Sequence, residues 1–142
     1  MGMIFVNLPV KDLEASKRFF GELGFTFNPQ FTDENAACMV IEENICAMLL
    51  TEPFFKGFIN GEIADPATTE VITALSATSR EEVDALVEKA LASGARAWKP
   101  TFEEGPMYSR SFQDLDGHVW EVIFMDLQAG AAAEGAAQET TA

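Results

Sequence analysis

The stretch that decides the fold is IFVNLPVKDLEASKRFFGELGF at residues 4–25. Its first part, residues 4–8, is short and apolar and predicts a strand. Asp12 can cap a helix that ends near Leu23, and Gly24 stands where a C-terminal cap glycine is expected. The chain therefore opens with a strand that is followed at once by an amphipathic helix.

The rest of the first half continues as strands. Apolar segments separated by turn residues predict strands at residues 25–28, 36–41 and 45–51. The first half thus has the order β-α-β-β-β. Residues 52–70 are rich in Phe, Gly and Pro, and they predict a short helical turn and then a loop that links two halves.

The second half repeats the order of the first. Residues 71–77 predict a strand, Ser79 and Glu82 form a capping box, and an apolar stripe at helical spacing follows at Val83, Leu86, Val87, Ala90 and Leu91. Strands are predicted at residues 96–99, 108–112 and 119–124. The repeated order favours an internal duplication of a βαβββ unit. The remaining polar face of the second helix, with Glu82, Asp84, Glu88 and Lys89, is interpreted as solvated.

The chain length of 142 residues predicts a single domain. We assign residues 1–127 to it, with modules at about 3–51 and 71–126 and a linker at 52–70. Residues 128–142 consist almost entirely of Ala, Gly, Glu, Gln and Thr, and they predict a low-complexity tail without an apolar stripe.

The charge balance restricts the partners. The chain has 9 Lys and Arg against 23 Asp and Glu, a net charge of −14. This negative field repels phosphate backbones and anionic lipids, so neither nucleic acid nor a membrane is an expected partner. Cys38 and Cys46 are too few for a disulfide scaffold, and we expect them to be reduced in the cytoplasm. They flank a turn at residues 42–44 without standing directly opposite each other, so they are interpreted as buried apolar side chains.

Four stretches together resemble the vicinal oxygen chelate superfamily, which groups glyoxalase I, bleomycin-resistance proteins and extradiol dioxygenases. They are VNLPVKDLEASKRFF at 6–20 with LGF at 23–25, CAMLLT at 46–51, SREEVD at 79–84 and FQDLDGHVWEV at 112–122. The resemblance extends from about Met3 to Asp126. It implies an α+β fold in which two βαβββ modules form a curled mixed sheet with a ligand cup. It also implies a homodimer.

The same resemblance implies where metal ligands would stand. The family's metal enzymes place one ligand on each of four strands, and carried over by motif these positions fall on Phe5, on Met48 or Leu49, near Ile72, and on Glu121. Of these residues, Glu121 alone is a hard-metal ligand. Zn²⁺, Ni²⁺ or Fe²⁺ would need three or four nitrogen or oxygen donors from the protein. We therefore expect no divalent metal cofactor.

The ligand-binding candidates are Phe5, Asn7, Met48, Arg110 and Glu121. Phe5 and Asn7 share one strand face by the period of two. An apolar floor with a few polar groups is typical of a small-molecule pocket, although the cup could equally be filled by its own side chains. A small, partly apolar ligand is thus the expected partner, and the negative field favours a cationic one.

Glu121 is also the candidate catalytic residue, as a general acid or base. Strand parity places it on one face with Val119 and Ile123, whereas the Trp120 face is expected to pack against a helix. A four-residue loop at 114–117 would place Arg110 opposite Glu121, and a three-residue loop would place Ser111 there.

Two functions remain open on the sequence. The first is a glyoxalase/bleomycin-resistance-like protein that binds a small molecule without a competent metal site. The alternative is a lyase, isomerase or dioxygenase-type enzyme of the same superfamily. His118, the one histidine of the chain, stands beside a turn and is interpreted as bonded to nearby backbone rather than as catalytic.

Overall fold

The structure, a computed structural model, describes residues 2–126, and the tail predicted at 128–142 lies outside them. The fold is α+β with two mixed sheets, as predicted. Its elements in chain order are β1 (Ile4–Val10), α1 (Leu13–Glu22), β2 (Thr26–Asn28), β3 (Ala36–Glu42), β4 (Ile45–Thr51), α2 (Glu52–Lys56), β5 (Ile72–Ala77), α3 (Arg80–Ala92), β6 (Arg96–Ala97), β7 (Phe102–Glu104), β8 (Met107–Gln113) and β9 (Val119–Met125). No helix within residues 2–126 combines the length and the apolar character needed to cross a membrane.

The elements form two compact units. The first consists of Met1–Glu70 together with Leu115–Gly117, and the second consists of Val71–Asp114 together with the residues from His118 onward. Each unit holds one sheet and one long helix. The helical turn predicted for the segment after β4 is the short helix α2.

The sheet of the first unit has the strand order β1-β4-β3-β2. β1 runs parallel to β4, and the other two pairs are antiparallel. One face of this sheet is an apolar core in which each side chain is at most 2% exposed: Leu8, Val10, Ala37, Met39, Ala47 and Leu49. The helix α1 contacts β3 and β4 and adds Leu13, Phe19 and Phe20 to the buried residues.

The predicted limits of α1 are confirmed by its caps. The Asp12 carboxylate accepts a hydrogen bond of 3.0 Å from the backbone N–H of Ala15, which would otherwise have no partner at the helix start. After the helix, Gly24 has a φ of 100°, a left-handed conformation that glycine adopts without strain. The strand–helix unit at residues 4–25 therefore forms from local signals.

The sheet of the second unit differs from the prediction at one edge. We expected a single strand at residues 96–99, but β6 and β7 both pair with β8 and are separated by residues 98–101. Pro100 lacks the N–H that a continuous ladder needs. The Lys99 N–H donates instead to the Ser111 hydroxyl at 3.1 Å, so a side chain completes the interrupted edge.

The predicted capping box of Ser79 and Glu82 is confirmed, except that the Glu82 carboxylate binds Thr78, the residue before Ser79. The Glu82 N–H donates to Ser79 Oγ at 3.0 Å, and the Glu82 carboxylate accepts from the Thr78 N–H at 2.8 Å and also from the Thr78 hydroxyl. These hydrogen bonds from Thr78 hold the pKa of Glu82 below its ordinary value. The helix start is therefore fixed by two side chains that reach in opposite directions.

Candidate functional site

The candidate residues of the first unit share one face of its sheet. Phe5 lies beside Cys46 and Asn7 beside Met48 in the parallel pair of β1 and β4. Phe5 is 48% exposed, Asn7 is exposed and Met48 is half-buried. Leu49 lies on the opposite, core face, so Met48 rather than Leu49 is the β4 residue that faces the same side as Phe5.

The second unit presents a comparable face around Glu121. Ile72 lies beside Val119 and Ala74 beside Glu121 in the parallel pair of β5 and β9. Glu121 is half-buried, and the residue directly opposite it on β8 is Ser111. The predicted parity of β9 is confirmed, because Trp120 lies on the other face and is fully buried.

Of the two residues that the sequence allowed opposite Glu121, the structure has Ser111 and not Arg110. Arg110 lies opposite Val122 and therefore faces α3, where it donates to Asp84 Oδ1 at 3.1 Å and to Glu88 Oε1 at 2.7 Å. The register follows from the length of the turn: Gln113 pairs with Val119, which leaves five residues in the loop rather than four. We therefore remove Arg110 from the residues expected beside Glu121.

The five-residue turn forms around Asp114. This carboxylate is 5% exposed, accepts from the His118 N–H at 3.0 Å and accepts from the Trp120 indole N–H at 2.9 Å. The Asp114 N–H donates in turn to the His118 carbonyl at 2.9 Å, so two hydrogen bonds to Asp114 hold the His118 backbone. Sequence reasoning placed a turn at residues 114–117 but missed the hydrogen bonds of Asp114, because the bond to Trp120 depends on the buried position of the indole.

The Tyr108, Asp84 and Arg110 side chains form a polar cluster that ties α3 to β8. The Tyr108 hydroxyl donates to Asp84 Oδ1 at 2.6 Å, and Arg80 stacks on the Tyr108 ring at 4.8 Å. The hydrogen bond from Tyr108, together with the Arg110 guanidinium, holds the pKa of Asp84 below its ordinary value. The side chains of Asp84 and Glu88 are exposed to solvent, as predicted, and the structure adds that both bind Arg110. The available sequence signal was the two-residue spacing of Tyr108 and Arg110, which places both side chains on the same face of β8.

A cavity of about 350 Å³ lies along β5 and β9 in the second unit. It is lined by Ala74, Leu75, Ser76, Ala77, Ile123 and Met125. Ala74 is the direct neighbour of Glu121 in the sheet, and Ile123 follows Glu121 on the same face. The cavity therefore combines an apolar lining with a carboxylate close to its edge, and its volume lies within the usual range of ligand pockets.

The two cysteines lie on the same face as Phe5 and Met48. Both are buried free thiols, and they are hydrogen-bonded to each other. Burial, followed by the hydrogen bond and the charge of Cys46, raises the pKa of the Cys38 thiol to about 11. The sequence predicted the burial but not the contact between the two sulfur atoms.

The four positions that would carry metal ligands in this family do not fit a divalent metal ion. They hold Phe5, Met48, Ile72 and Glu121, of which one has an oxygen donor. Within residues 2–126, no group of three His, Cys, Asp or Glu side chains is arranged to hold a metal. A single carboxylate cannot replace the three or four ligands of a zinc site.

We therefore expect purified protein to contain well below one equivalent of Zn, Ni, Fe or Mn. Elemental analysis of protein prepared without chelator measures this directly, and the dialysis buffer serves as the blank. A stoichiometric divalent metal that survives dialysis would contradict the expectation and would restore a metal-dependent reaction.

The sequence and the fold both resemble those of bleomycin-resistance and glyoxalase-related proteins. Residues 3–42 match the family described as bleomycin resistance protein-like N-terminal. Among curated proteins there is no significant match.

Solved structures match most of the chain. A hypothetical protein, SA1046 from S. aureus, is 28% identical with a TM-score of 0.75 over 87% of this chain and 94% of that one. A glyoxalase-related enzyme from Fulvimarina pelagi is 24% identical with a TM-score of 0.72 over 86% of each chain. The fosfomycin resistance protein FosX from Listeria monocytogenes is 20% identical with a TM-score of 0.63 over 91% of this chain and 97% of that one. The N-terminal segment is thus similar in sequence to bleomycin-resistance-like proteins, and the fold is similar to that of glyoxalase/bleomycin-resistance-like structures.

Proposed function

We propose that this protein binds a small, partly apolar molecule that carries positive charge, and that it does so without a divalent metal ion. The observation that carries the proposal is the apolar cavity of about 350 Å³ along β5 and β9, with Glu121 beside its wall. No basic residue stands directly opposite Glu121, since Ser111 occupies that position. A cationic group on the ligand would supply the missing charge.

Desolvation and charge together favour a cationic group on the ligand. An apolar ligand removes water from the cavity wall, and a half-buried carboxylate that loses water without a partner is destabilised. A ligand ammonium or guanidinium restores that partner with a charge-assisted hydrogen bond. The net charge of −14 raises the local concentration of cations and lowers that of anions.

A second surface, in the first unit, also combines apolar and polar groups. It consists of Phe5, Asn7 and Met48. Phe5 offers an exposed ring to an apolar or cationic group, and the Asn7 amide offers both a donor and an acceptor. We propose these three residues as a separate ligand surface of the first unit. The homodimer and the cytoplasmic location stay predictions, and native mass spectrometry of the full chain would count the subunits.

A second candidate function is catalysis by Glu121. The observation that favours it is the same half-buried carboxylate beside the cavity, because a carboxyl group placed next to a bound substrate can serve as a general acid or base. One of the similar structures is described as a glyoxalase-related enzyme. Turnover of a bound compound, followed by mass spectrometry, separates catalysis from simple binding.

The test uses two probes of opposite charge, metal-free bleomycin as the basic compound and fosfomycin as the phosphonate. Isothermal titration is expected to detect bleomycin binding and no fosfomycin binding. Glu121→Gln keeps the shape and removes the charge, so it should weaken bleomycin binding by at least about tenfold, the equivalent of one hydrogen bond to a charged group. Its melting temperature should stay within about 2 °C of wild type, since no ion pair is broken.

The matched control is Glu104→Gln, which removes the same charge from an exposed residue of β7. Equal loss of affinity in both variants would mean that net charge alone attracts the ligand and that Glu121 is not part of the site. Fosfomycin binding as tight as that of bleomycin would contradict the proposed charge preference. Conversion of either probe, lost in Glu121→Gln, would favour the catalytic candidate.

A further inference from the structure

Three sulfur-containing side chains meet on one face of the first sheet. Cys38 of β3 stands directly opposite Met48 of β4, and Cys46 precedes Met48 by two residues on the same strand. Residues directly opposite in an antiparallel pair share a face, and so do residues two apart along a strand. Cys38 and Cys46 are therefore diagonal neighbours on this face.

The surroundings of these sulfur atoms are apolar. Cys38 is 1% exposed and Cys46 is 4% exposed, and their neighbours on this face include Phe5 beside Cys46 and Val40 opposite it. Asn28 lies opposite Cys38, but its side-chain oxygen accepts from the Gln30 N–H at 2.9 Å. Met48 is half-buried, so the thioether lies closer to solvent than the two thiols do. The cluster therefore offers three soft donors, of which Met48 is the most exposed.

We propose that Cys38, Cys46 and Met48 form a site for a soft monovalent cation, Cu(I). Thiolate and thioether ligands select Cu(I) over the hard divalent ions, which prefer oxygen. Binding replaces the proton of one thiol with the metal, so the released proton balances the charge and the buried site stays neutral, while copper remains Cu(I) throughout. This site shares Met48 with the ligand surface proposed in the first unit, but it has no residue in common with the Glu121 cavity of the second unit, and its two thiols belong to neither.

The test is a competition for Cu(I) in the absence of oxygen. Full-length reduced protein is titrated into the coloured Cu(I)–bicinchoninate complex, and the loss of colour measures transfer of copper to the protein. We expect one equivalent to be withdrawn. Met48→Leu keeps the apolar volume and removes one donor, and it should lower the Cu(I) affinity by at least about tenfold. Cys38→Ala combined with Cys46→Ala should abolish the transfer.

Two controls make the result decisive. Met39→Leu changes the preceding methionine of β3, which is fully buried on the opposite face, and it should leave the affinity for Cu(I) unchanged. Glu121→Gln should also leave the affinity for Cu(I) unchanged, so a failure of the small-molecule proposal would not contradict the Cu(I) site. Equal affinities for Met48→Leu and Met39→Leu would overturn the three-sulfur site. Undiminished transfer to a folded double-alanine variant, judged by circular dichroism, would overturn it as well.

Discussion

Replacing Asp114 by alanine is expected to cost about 3 kcal/mol of folding free energy, because two donors lose a charged acceptor at a buried position. The donors are the Trp120 indole N–H at 2.9 Å and the His118 backbone N–H at 3.0 Å. Trp120 is fully buried, so water cannot replace the lost acceptor without opening the packing beneath α3. A loss of this size lowers the melting temperature by about 10 °C in a domain of this length.

Chemical denaturation and thermal melting followed by circular dichroism measure the effect. Leu115→Gln is the matched control, since Leu115 is the next residue of the same turn and its side chain is 42% exposed. The control should melt within about 2 °C of wild type. Near-equal melting temperatures for the two variants would mean that Asp114 does not hold the turn. Asp114→Asn should lie between them, because an amide can still accept one hydrogen bond.

Gly117→Ala is the second substitution with a large expected effect, about 2 kcal/mol or more of lost stability. Gly117 has a φ of 86°, a conformation that costs an L-residue about 1–2 kcal/mol. A Cβ built on Gly117 would also lie 3.0 Å from the Cβ of Pro66, a closer contact than nine in ten real Cβ atoms make, so Pro66 or the turn would have to shift by a few tenths of an ångström. The strain and the steric conflict act together, and one of them must be relieved by moving the turn.

Gly105→Ala separates the effect of backbone strain from the effect of the contact with Pro66. Gly105 also has a positive φ, of 59°, but an added Cβ would meet no atom within 4 Å. It therefore bears the backbone strain alone, and the difference between the two alanine variants measures the contact with Pro66. A double-mutant cycle with Pro66→Gly should recover that difference. If Gly117→Ala cost no more than Gly105→Ala, the close approach to Pro66 would be without energetic consequence.

The same turn carries Asp116, which connects two elements of the first unit. Its carboxylate accepts from the Lys11 N–H at 2.9 Å and from the Ser16 hydroxyl at 3.4 Å, next to the N-terminal cap of α1. Displacement of the turn by Gly117→Ala would therefore also disturb the start of α1. Hydrogen exchange of the amides of α1, compared between Gly117→Ala and Gly105→Ala, would detect this.

The order of elements could be predicted because its signals are local. The caps at Asp12 and Ser79, the glycine at Gly24 and the alternation of apolar side chains act over a few residues, where the chain itself provides both partners. The parity of β9 followed from the same rule, since successive side chains on a strand point to opposite faces. The break between β6 and β7 was missed although Pro100 signals it, because the hydrogen bond that stabilises the edge comes from Ser111 on a different strand.

The contents of the candidate sites needed the tertiary structure. The sequence by itself determined that Phe5, Met48 or Leu49, and Ile72 stand where the resemblance would place three of the four metal ligands, and it predicted from them that no divalent metal is bound. It could not determine what faces Glu121, because one additional residue in a turn exchanges Arg110 for Ser111 and moves a guanidinium to the opposite side of the sheet. Nor could it bring the sulfur atoms of Cys38 and Cys46 together, since that contact depends on strand register. Register is set jointly by the turn and by the packed face of the sheet, and neither is a property of the residues in contact.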